Sequence, residues 1–268
     1  MRSATVKTEH ANLGQAILFL AVSGVILAGI FLSRRGRQLF IRRIPGLSAI
    51  DESIGRATEM GRPILFTFGL AWIDIVSMQA LAILSHIARL AARFGNRLIV
   101  PLADVPLYTL AEEVCREAYA AEGKPEAFNP DDIIFLSDQQ FAYAAGVIGL
   151  MHREKVATAF YFGYFYAESL LLAESGQIAG AVQVAGTPAT TQIPFFMVAT
   201  DYTIIGDEYF AGSAYLSREP TLVGSLVGQD VGKGIMLLLI VAGTVLAVLN
   251  KIMPGIFTQN YLAKWLGG

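Results

Sequence analysis

Unbroken apolar runs stand near each end of this chain, and between them short apolar runs alternate with amphipathic ones. Ile64-Leu65-Phe66-Thr67-Phe68, closed by Gly69, predicts a strand buried on both faces. From Ile73 to Arg93 the residues Ile73, Val76, Ala80, Leu84, Ile87, Ala88 and Ala91 share one helical face, and Gln79, His86, Arg89 and Arg93 make a narrower polar stripe. Gly95-Asn96 ends that helix and Leu98-Ile99-Val100 gives a second buried strand, so the simplest pairing is parallel. Asp104 is placed to cap the next helix and Pro106 suits its opening turn, with Leu107, Leu110, Val114 and Ala118 as its buried stripe. Ile133–Leu136 predicts a third strand. Ser137 or Asp138 then caps a helix from Gln139 to Glu154, with Phe141, Ala145, Ile148 and Met151 inward. This beat predicts an α/β fold: a Rossmann-like, mostly parallel sheet with helices on both faces, flanked by one N-terminal and one C-terminal transmembrane helix.

The texture changes from Val156 to Ser217, an interval without a lysine or arginine. The aromatic run Phe160–Tyr166 predicts a strand continuing into a turn, and Glu168–Glu174 a short helix. Gly180–Val184 and Phe195–Ala199 read as strands separated by a loop over 185–192, and Asp201 or Thr203 as the cap of a helix through Leu216. A solvated surface of this length normally carries cations, so much of this half is expected to be covered by the domain's own helices, by sister subunits or by lipid.

The run from Gln15 to Leu32 contains no charge and is long enough for a transmembrane helix over 15–33, after a tail over 1–14. A cleaved signal peptide fits less well, because the apolar run is long and a basic cluster follows it. That cluster, Arg34, Arg35, Arg37, Arg42 and Arg43, opens a juxtamembrane segment and lead-in helix over 34–61, with Asp51 and Glu52 read into that helix's first turn. It predicts contact with the membrane surface and, by the positive-inside rule, a cytoplasmic α/β domain over 62–220. A linker over 221–232, a second span over 233–253 and an interfacial tail over 254–268 follow, so both termini are expected outside the cytoplasmic membrane. Ile64–Leu84 is apolar enough to suggest another span, but Asp74, Gln79 and nearby His86 favour a water-facing stripe.

Composition agrees with anchoring: 54% of residues are hydrophobic and 16% charged. A formal net charge of −2 gives no reason to expect a nucleic-acid partner. The single cysteine, Cys115, excludes an intrachain disulfide and reads as a small core residue.

Chemistry-bearing motifs are sparse. His10, His86 and His152 have no metal-ligand spacing, no G-x-S-x-G elbow occurs, and Gly228–Gly234 lacks the spacing and the Ser or Thr of a phosphate loop. The dinucleotide fingerprint is absent after the first strand, so no cofactor is implied. A positional rule remains: in open parallel sheets ligands bind outside the carboxyl ends of strands. Gly69, Asp104, Asp138, Thr187, Thr190 and Asp201 are the residues such a crevice would present, each also readable as a turn or helix cap. Glu168 reads as a rim residue.

Arg56–Pro63, Asp138–Gly146, Gly163–Ser169 and Tyr215–Pro220, in that order, resemble a family of uncharacterised prokaryotic two-helix membrane proteins with a domain of unknown function, over about residues 45 to 250. The resemblance implies a shared domain and topology and carries no activity or site residue. The expected function is a membrane-anchored structural or assembly protein, not an enzyme. It is expected to self-associate through its cytoplasmic α/β domain, with the lipid bilayer as a partner and other membrane-complex subunits as candidate neighbours, and small residues of the first span (Ser23, Gly24, Ala28, Gly29) allow close helix contacts. The alternative is a sensory or ligand-binding protein whose strand-end crevice takes a nucleotide or small anionic metabolite.

Overall fold

The computed structural model describes residues 13–36, 44–217 and 219–252. The tail over 254–268 and Arg37, Arg42 and Arg43 therefore lie outside the described residues. The chain divides into two compact units, 1–41 with 218–268, and 42–217.

The first unit is a helix pair, α1 (Leu13–Arg34) and α9 (Pro220–Ile252). Residues 221–232, expected as a linker, are instead the opening turns of α9, whose glycines are drawn into helix packing. A Cβ on Gly29 would stand 2.5 Å from the Gly224 carbonyl oxygen, one on Gly224 2.6 Å from the Ile30 Cα, and one on Gly228 2.7 Å from the Ile26 Cα. Gly224, Gly228 and Gly232 recur at four-residue intervals down one face of α9, so the two backbones meet along that face. Arg34 Nε donates to Thr221 Oγ1 at 3.2 Å at one end of the pair, and Arg35 lies over the Phe31 ring at 4.1 Å. Away from this seam, Phe19, Leu20, Leu27, Leu237 and Leu238 are exposed, and both helices are long and apolar enough to span a membrane.

The second unit is α/β. Its six strands, β1 (Ile64–Gly69), β2 (Leu98–Leu102), β3 (Ile133–Phe135), β4 (Thr158–Tyr164), β5 (Val182–Thr187) and β6 (Tyr202–Ile205), form one sheet in the order β3-β2-β1-β4-β5-β6. All five pairings are parallel. The order reverses between β1 and β4.

Six helices pack on this sheet, α2 (Pro45–Met60), α3 (Ile75–Phe94), α4 (Val105–Ala121), α5 (Gln140–Arg153), α6 (Glu168–Ile178) and α7 (Ile193–Ala199), and a seventh, α8 (Gly212–Ser217), packs against α2 and α3. Strand alternation divides the core. Leu65, Ile99, Ala159, Tyr161 and Ala185 lie under Tyr143, Val147 and Met151 of α5, Leu172 of α6 and Phe196 of α7. The alternate residues Phe66, Phe160 and Phe162 point the other way, where Phe162 meets Tyr209 and the Tyr209 hydroxyl donates to the Val76 carbonyl of α3 at 2.8 Å. α3 also has the length and composition of a membrane span, but over half of that window is buried in this unit.

Local chemistry sets the helix ends. Asp74 Oδ1 accepts from Val76 N and Ser77 N at 3.0 and 2.9 Å while Ser77 Oγ accepts from Asp74 N, a capping box that starts α3 at Ile75 and leaves Ile73 outside. Gly95, at φ 75°, ends it. Pro45 opens α2 as its first residue, so Asp51 and Glu52 fall in mid-helix. α2 runs from Gly46, against Ile204 at the carboxyl end of β6, to Ser53, whose carbonyl accepts from Thr158 Oγ1 at the amino end of β4. The Ser48 and Tyr215 hydroxyls are 2.8 Å apart, so both chain ends of this unit leave from the carboxyl edge of the sheet.

Four expectations are corrected. Phe195–Ala199 is helix α7, since a short apolar run fits either structure and Pro194 opens a helix here. Residues 202–205 are the edge strand β6 instead of a capped helix, in keeping with the β-branched Thr203, Ile204 and Ile205. Phe141 is exposed, because α5 is rotated so that Tyr143, Ala144, Val147, Leu150 and Met151 face inward. The buried stripe of α4 is Leu107, Ala111, Cys115, Ala118 and Tyr119 in place of one through Leu110 and Val114, with Leu110 exposed and Cys115 the core residue expected.

Cysteines placed at Val22 and Gly232, where a Cβ on Gly232 would meet the Val22 side chain at 3.4 Å, are expected to form a disulfide in membranes under mild oxidation. Gly228→Leu should abolish that crosslink; crosslinking at the parent level would show that the helices do not meet through their glycines.

Candidate functional site

The carboxyl edge at the β1–β4 reversal is where an open parallel sheet offers a crevice. Here two glycines draw the strands together. Gly69 has φ 65° and Gly163 φ 155°; a Cβ on Gly69 would stand 2.1 Å from the Tyr164 carbonyl oxygen, and one on Gly163 2.1 Å from the Phe68 carbonyl oxygen. Leu70 N donates to that same Tyr164 oxygen at 2.8 Å. The strand ends are in backbone contact, and the β1–β4 register shifts between Thr67 and Gly69 to permit it.

Around this junction the polar groups are buried and mutually satisfied. The Thr67 and Tyr143 hydroxyls are 2.5 Å apart, Tyr143 donates to the Pro101 carbonyl at 3.1 Å, and Gly69 N donates to Thr67 Oγ1 at 3.0 Å, linking β1, β2 and α5. Burial pushes the Tyr143 phenol well above its ordinary pKa, with the hydrogen bond to Thr67 acting against this and the Glu168 charge adding to it. Glu168 is fully buried, which corrects its reading as a rim residue. Its Oε1 accepts from Tyr166 N at 3.0 Å and its Oε2 from Gln140 Nε2 at 2.6 Å, so two neutral donors hold this carboxylate.

The exposed part of the junction is aromatic. Trp72, half exposed, stacks on Tyr164 with ring centroids 5.1 Å apart and planes 9° from parallel. Partial burial and the neighbouring Asp74 carboxylate raise the Tyr164 pKa.

The expected crevice residues are scattered along the edge. Gly69 ends β1. Asp104 Oδ2 caps α4 by accepting from Leu107 N at 3.0 Å. Asp138 does not cap α5; it is exposed after β3 and accepts from Gln139 Nε2 at 3.3 Å. Thr187 is buried at the end of β5, its Oγ1 accepting from Ala189 N at 3.2 Å, and Thr190 is exposed in the following loop. Asp201 stands at the opposite, amino edge, where Oδ2 accepts from Gln183 N at 2.7 Å. Four strand spacings, roughly 19 Å, separate the β3 and β5 ends, so Asp138 and Thr187 do not converge. The sequence reading missed Trp72, Tyr164 and Asp74 as site residues; Trp72, three residues after Gly69, was the signal that could have found them.

A hollow of about 270 Å³ lies at the amino edge, lined by Asn96, Arg97, Cys115, Tyr119, Phe128 and Asp132. Arg97 closes one side, donating from Nε and Nη2 to Asp132 Oδ1 at 2.9 and 2.6 Å and from Nη1 to Glu154 Oε2 at 2.8 Å. Burial pushes the Cys115 thiol up to about 12, which leaves it protonated and unreactive at neutral pH. His86 pairs with Asp51 and His152 with Ser175, each at 3.0 Å, and among the described residues no three His, Cys, Asp or Glu side chains are grouped to hold a metal ion.

A family model described as a domain of unknown function, DUF6754, matches residues 3–257. The chain belongs to the DUF6754 family. The DUF6754 match takes in α1, the α/β unit and α9 together, so the helix pair is as much a part of the domain as the sheet is. No curated protein and no solved structure matches the chain.

Gly163→Ala is expected to destabilise the α/β unit by about 2 kcal/mol or more, since the added methyl meets backbone from a φ that L residues rarely adopt. Chemical denaturation of the parent and variant measures this. The buried thiol predicts that iodoacetamide at pH 8 leaves Cys115 unmodified in the folded protein and alkylates it after denaturation; rapid native labelling would contradict the burial.

Proposed function

We propose that this DUF6754 protein is a non-enzymatic, membrane-anchored assembly protein whose Rossmann-like α/β unit associates with copies of itself. One observation carries the reading: the surface of the cation-free half. Ile178 is 71% exposed, Val198 86% and Met197 57%, with Leu170, Leu171 and Phe195 also partly bare, and no lysine or arginine occurs from Val156 to Ser217. Apolar surface of this kind in water marks an interface. A face built for a lipid surface carries free cations to meet anionic headgroups; this segment supplies none, and the Arg62 guanidinium beside Ile178 is engaged by the Val156 and Ala179 carbonyls. A protein partner is therefore favoured. A second copy is the partner at hand, because anchoring in one bilayer concentrates identical, equally oriented chains. Arg34 and Arg35 at the end of α1, with Arg37, Arg42 and Arg43 after them in sequence, favour an α/β unit on the cytoplasmic side of a prokaryotic cell membrane and both termini outside. Other subunits of a membrane complex are compatible with the same surface.

A second reading rests on Trp72. Its exposed ring, stacked on Tyr164 beside Asp74 where the strand order reverses, suits a planar ligand such as a nucleobase. A thermal shift on adding a nucleotide, lost in Trp72→Ala, would favour it.

Self-association is tested by the mass of the full chain in mild detergent. The parent is expected as an oligomer, and Val198→Asp with Ile178→Asp should reduce it toward the protomer mass. A monomeric parent overturns the proposal.

A further inference from the structure

The charges of the α/β unit are sorted by edge. Every lysine and arginine between 44 and 217 falls in the second half of a helix or in the loop after it, which in this parallel sheet is the amino edge. The loops that leave the strands, and the first turns of the helices they open, carry none. That carboxyl edge holds bare apolar side chains instead. Trp72 and Ile73 after β1, Ile75 and Met78 in the first turn of α3, Val105 at the start of α4 and Tyr166 after β4 are all exposed. Ile75 is 68% exposed and shares an outward helical face with Met78, while Val76 and Ser77 between them are buried. Single apolar residues at a surface need no cover, but a tryptophan, two isoleucines and a methionine within residues 72–78 make a patch.

The chain also enters and leaves the unit at this edge. Pro45, which opens α2 there, follows the basic run over 34–43 directly in sequence. On the outgoing side the Tyr209 hydroxyl donates to the Val76 carbonyl in the first turn of α3, and Gly212 packs on Ile83, so the exit segment runs beside the patch. Ser217 then ends α8. Thr221, whose Oγ1 accepts from Arg34 Nε at the end of α1, is four residues further on, a reach of at most about 14 Å. When α1 and α9 span a bilayer, Arg34 stands at headgroup level, and the end of α8 is tethered within that reach of it. The acids of the patch do not oppose such a surface as bare charges, since Asp74 accepts from two amides of α3 and Asp104 from one of α4.

We infer that the carboxyl edge of the α/β unit docks on the bilayer surface, with Trp72, Ile73, Ile75 and Met78 entering the boundary between headgroups and acyl chains and the charged amino edge turned to water. Trp72 suits that depth, because its ring is apolar and its indole N–H finds partners among headgroups, and the stack on Tyr164 holds the ring in place. The basic run over 34–43 supplies the cations that the patch lacks. The docking rests on the membrane anchoring in the proposed function and not on the self-association. Ile178 and Val198 stand where α6 and α7 end, at the amino edge, and stay open to a second copy. Docking gives Trp72 to lipid and withholds it from the nucleobase of the second reading.

Trp265→Phe leaves Trp72 as the only tryptophan of the full chain, so its emission reads the patch alone after reconstitution into vesicles of phosphatidylcholine and phosphatidylglycerol. Brominated acyl chains are expected to lower that emission about twofold or more, since bromine quenches only an indole that it reaches. Ile75→Asp with Met78→Asp should restore most of it. Aspartates suit the start of a helix, and protection of Cys115 from iodoacetamide shows that this variant is folded. Equal emission in plain and brominated vesicles, from a chain that resists extraction by alkaline carbonate, overturns the docking and leaves the anchoring standing; a folded double variant quenched like the parent does the same. Quenching by a nucleotide and not by brominated lipid overturns it in favour of the second reading. A chain that carbonate releases overturns docking and anchoring together, whereas a quenched monomer upholds the docking and overturns only the self-association.

Discussion

The contact of β1 with β4 at their carboxyl ends constrains the α/β unit more than any other. These are the two central strands, the chain order reverses between them, and one set of helices hangs from each side of that reversal. Gly69 and Gly163 let the two backbones approach where open parallel sheets usually part. Thr67, Tyr143 and the Pro101 carbonyl then tie the junction to β2 and α5. Main chain fills the junction itself, and the exposed chemistry that remains there is an aromatic stack. That closure is in keeping with the proposed assembly role, which calls for a surface and not a pocket.

The two units solve the problem of apolar surface differently. In α1 and α9 the glycine faces remove backbone from the surroundings and leave leucines, isoleucines and phenylalanines outward, as a bilayer requires. In the α/β unit the sheet is covered on both faces, yet α6 and α7 keep Leu170, Leu171, Phe195 and Val198 on their outer sides, with no cation near in sequence to solubilise them. The first set suits a bilayer, which both helices are long and apolar enough to cross. The second set is the surface proposed to meet another copy of the chain.

Much of the first half of the α/β unit was legible because its signals were redundant. Strands β1 and β2 are bounded by Gly69 and Asn96, α3 carries a full amphipathic period, and Asp104 caps α4 as its position suggested. The second half misled because short apolar runs carry no period. Phe195–Ala199 reads alike as strand or helix, and Asp201, taken for a helix cap, binds the Gln183 amide across the sheet, a contact invisible to local reasoning. That misreading also put Asp201 at the wrong edge. Glu168 looked like a rim residue because its two donors, Gln140 and the Tyr166 amide, come together only in the fold. The glycines of α9 were read as linker residues because small residues weaken an apolar run, while in helix packing they permit the closest approach.

A density map of the particle extracted from membranes with its lipid tests the central claim most directly. The account predicts several copies of the chain, with Ile178, Met197 and Val198 of each covered by a neighbouring copy. A single copy with those side chains bare to solvent, or the same surface covered by lipid, would contradict it.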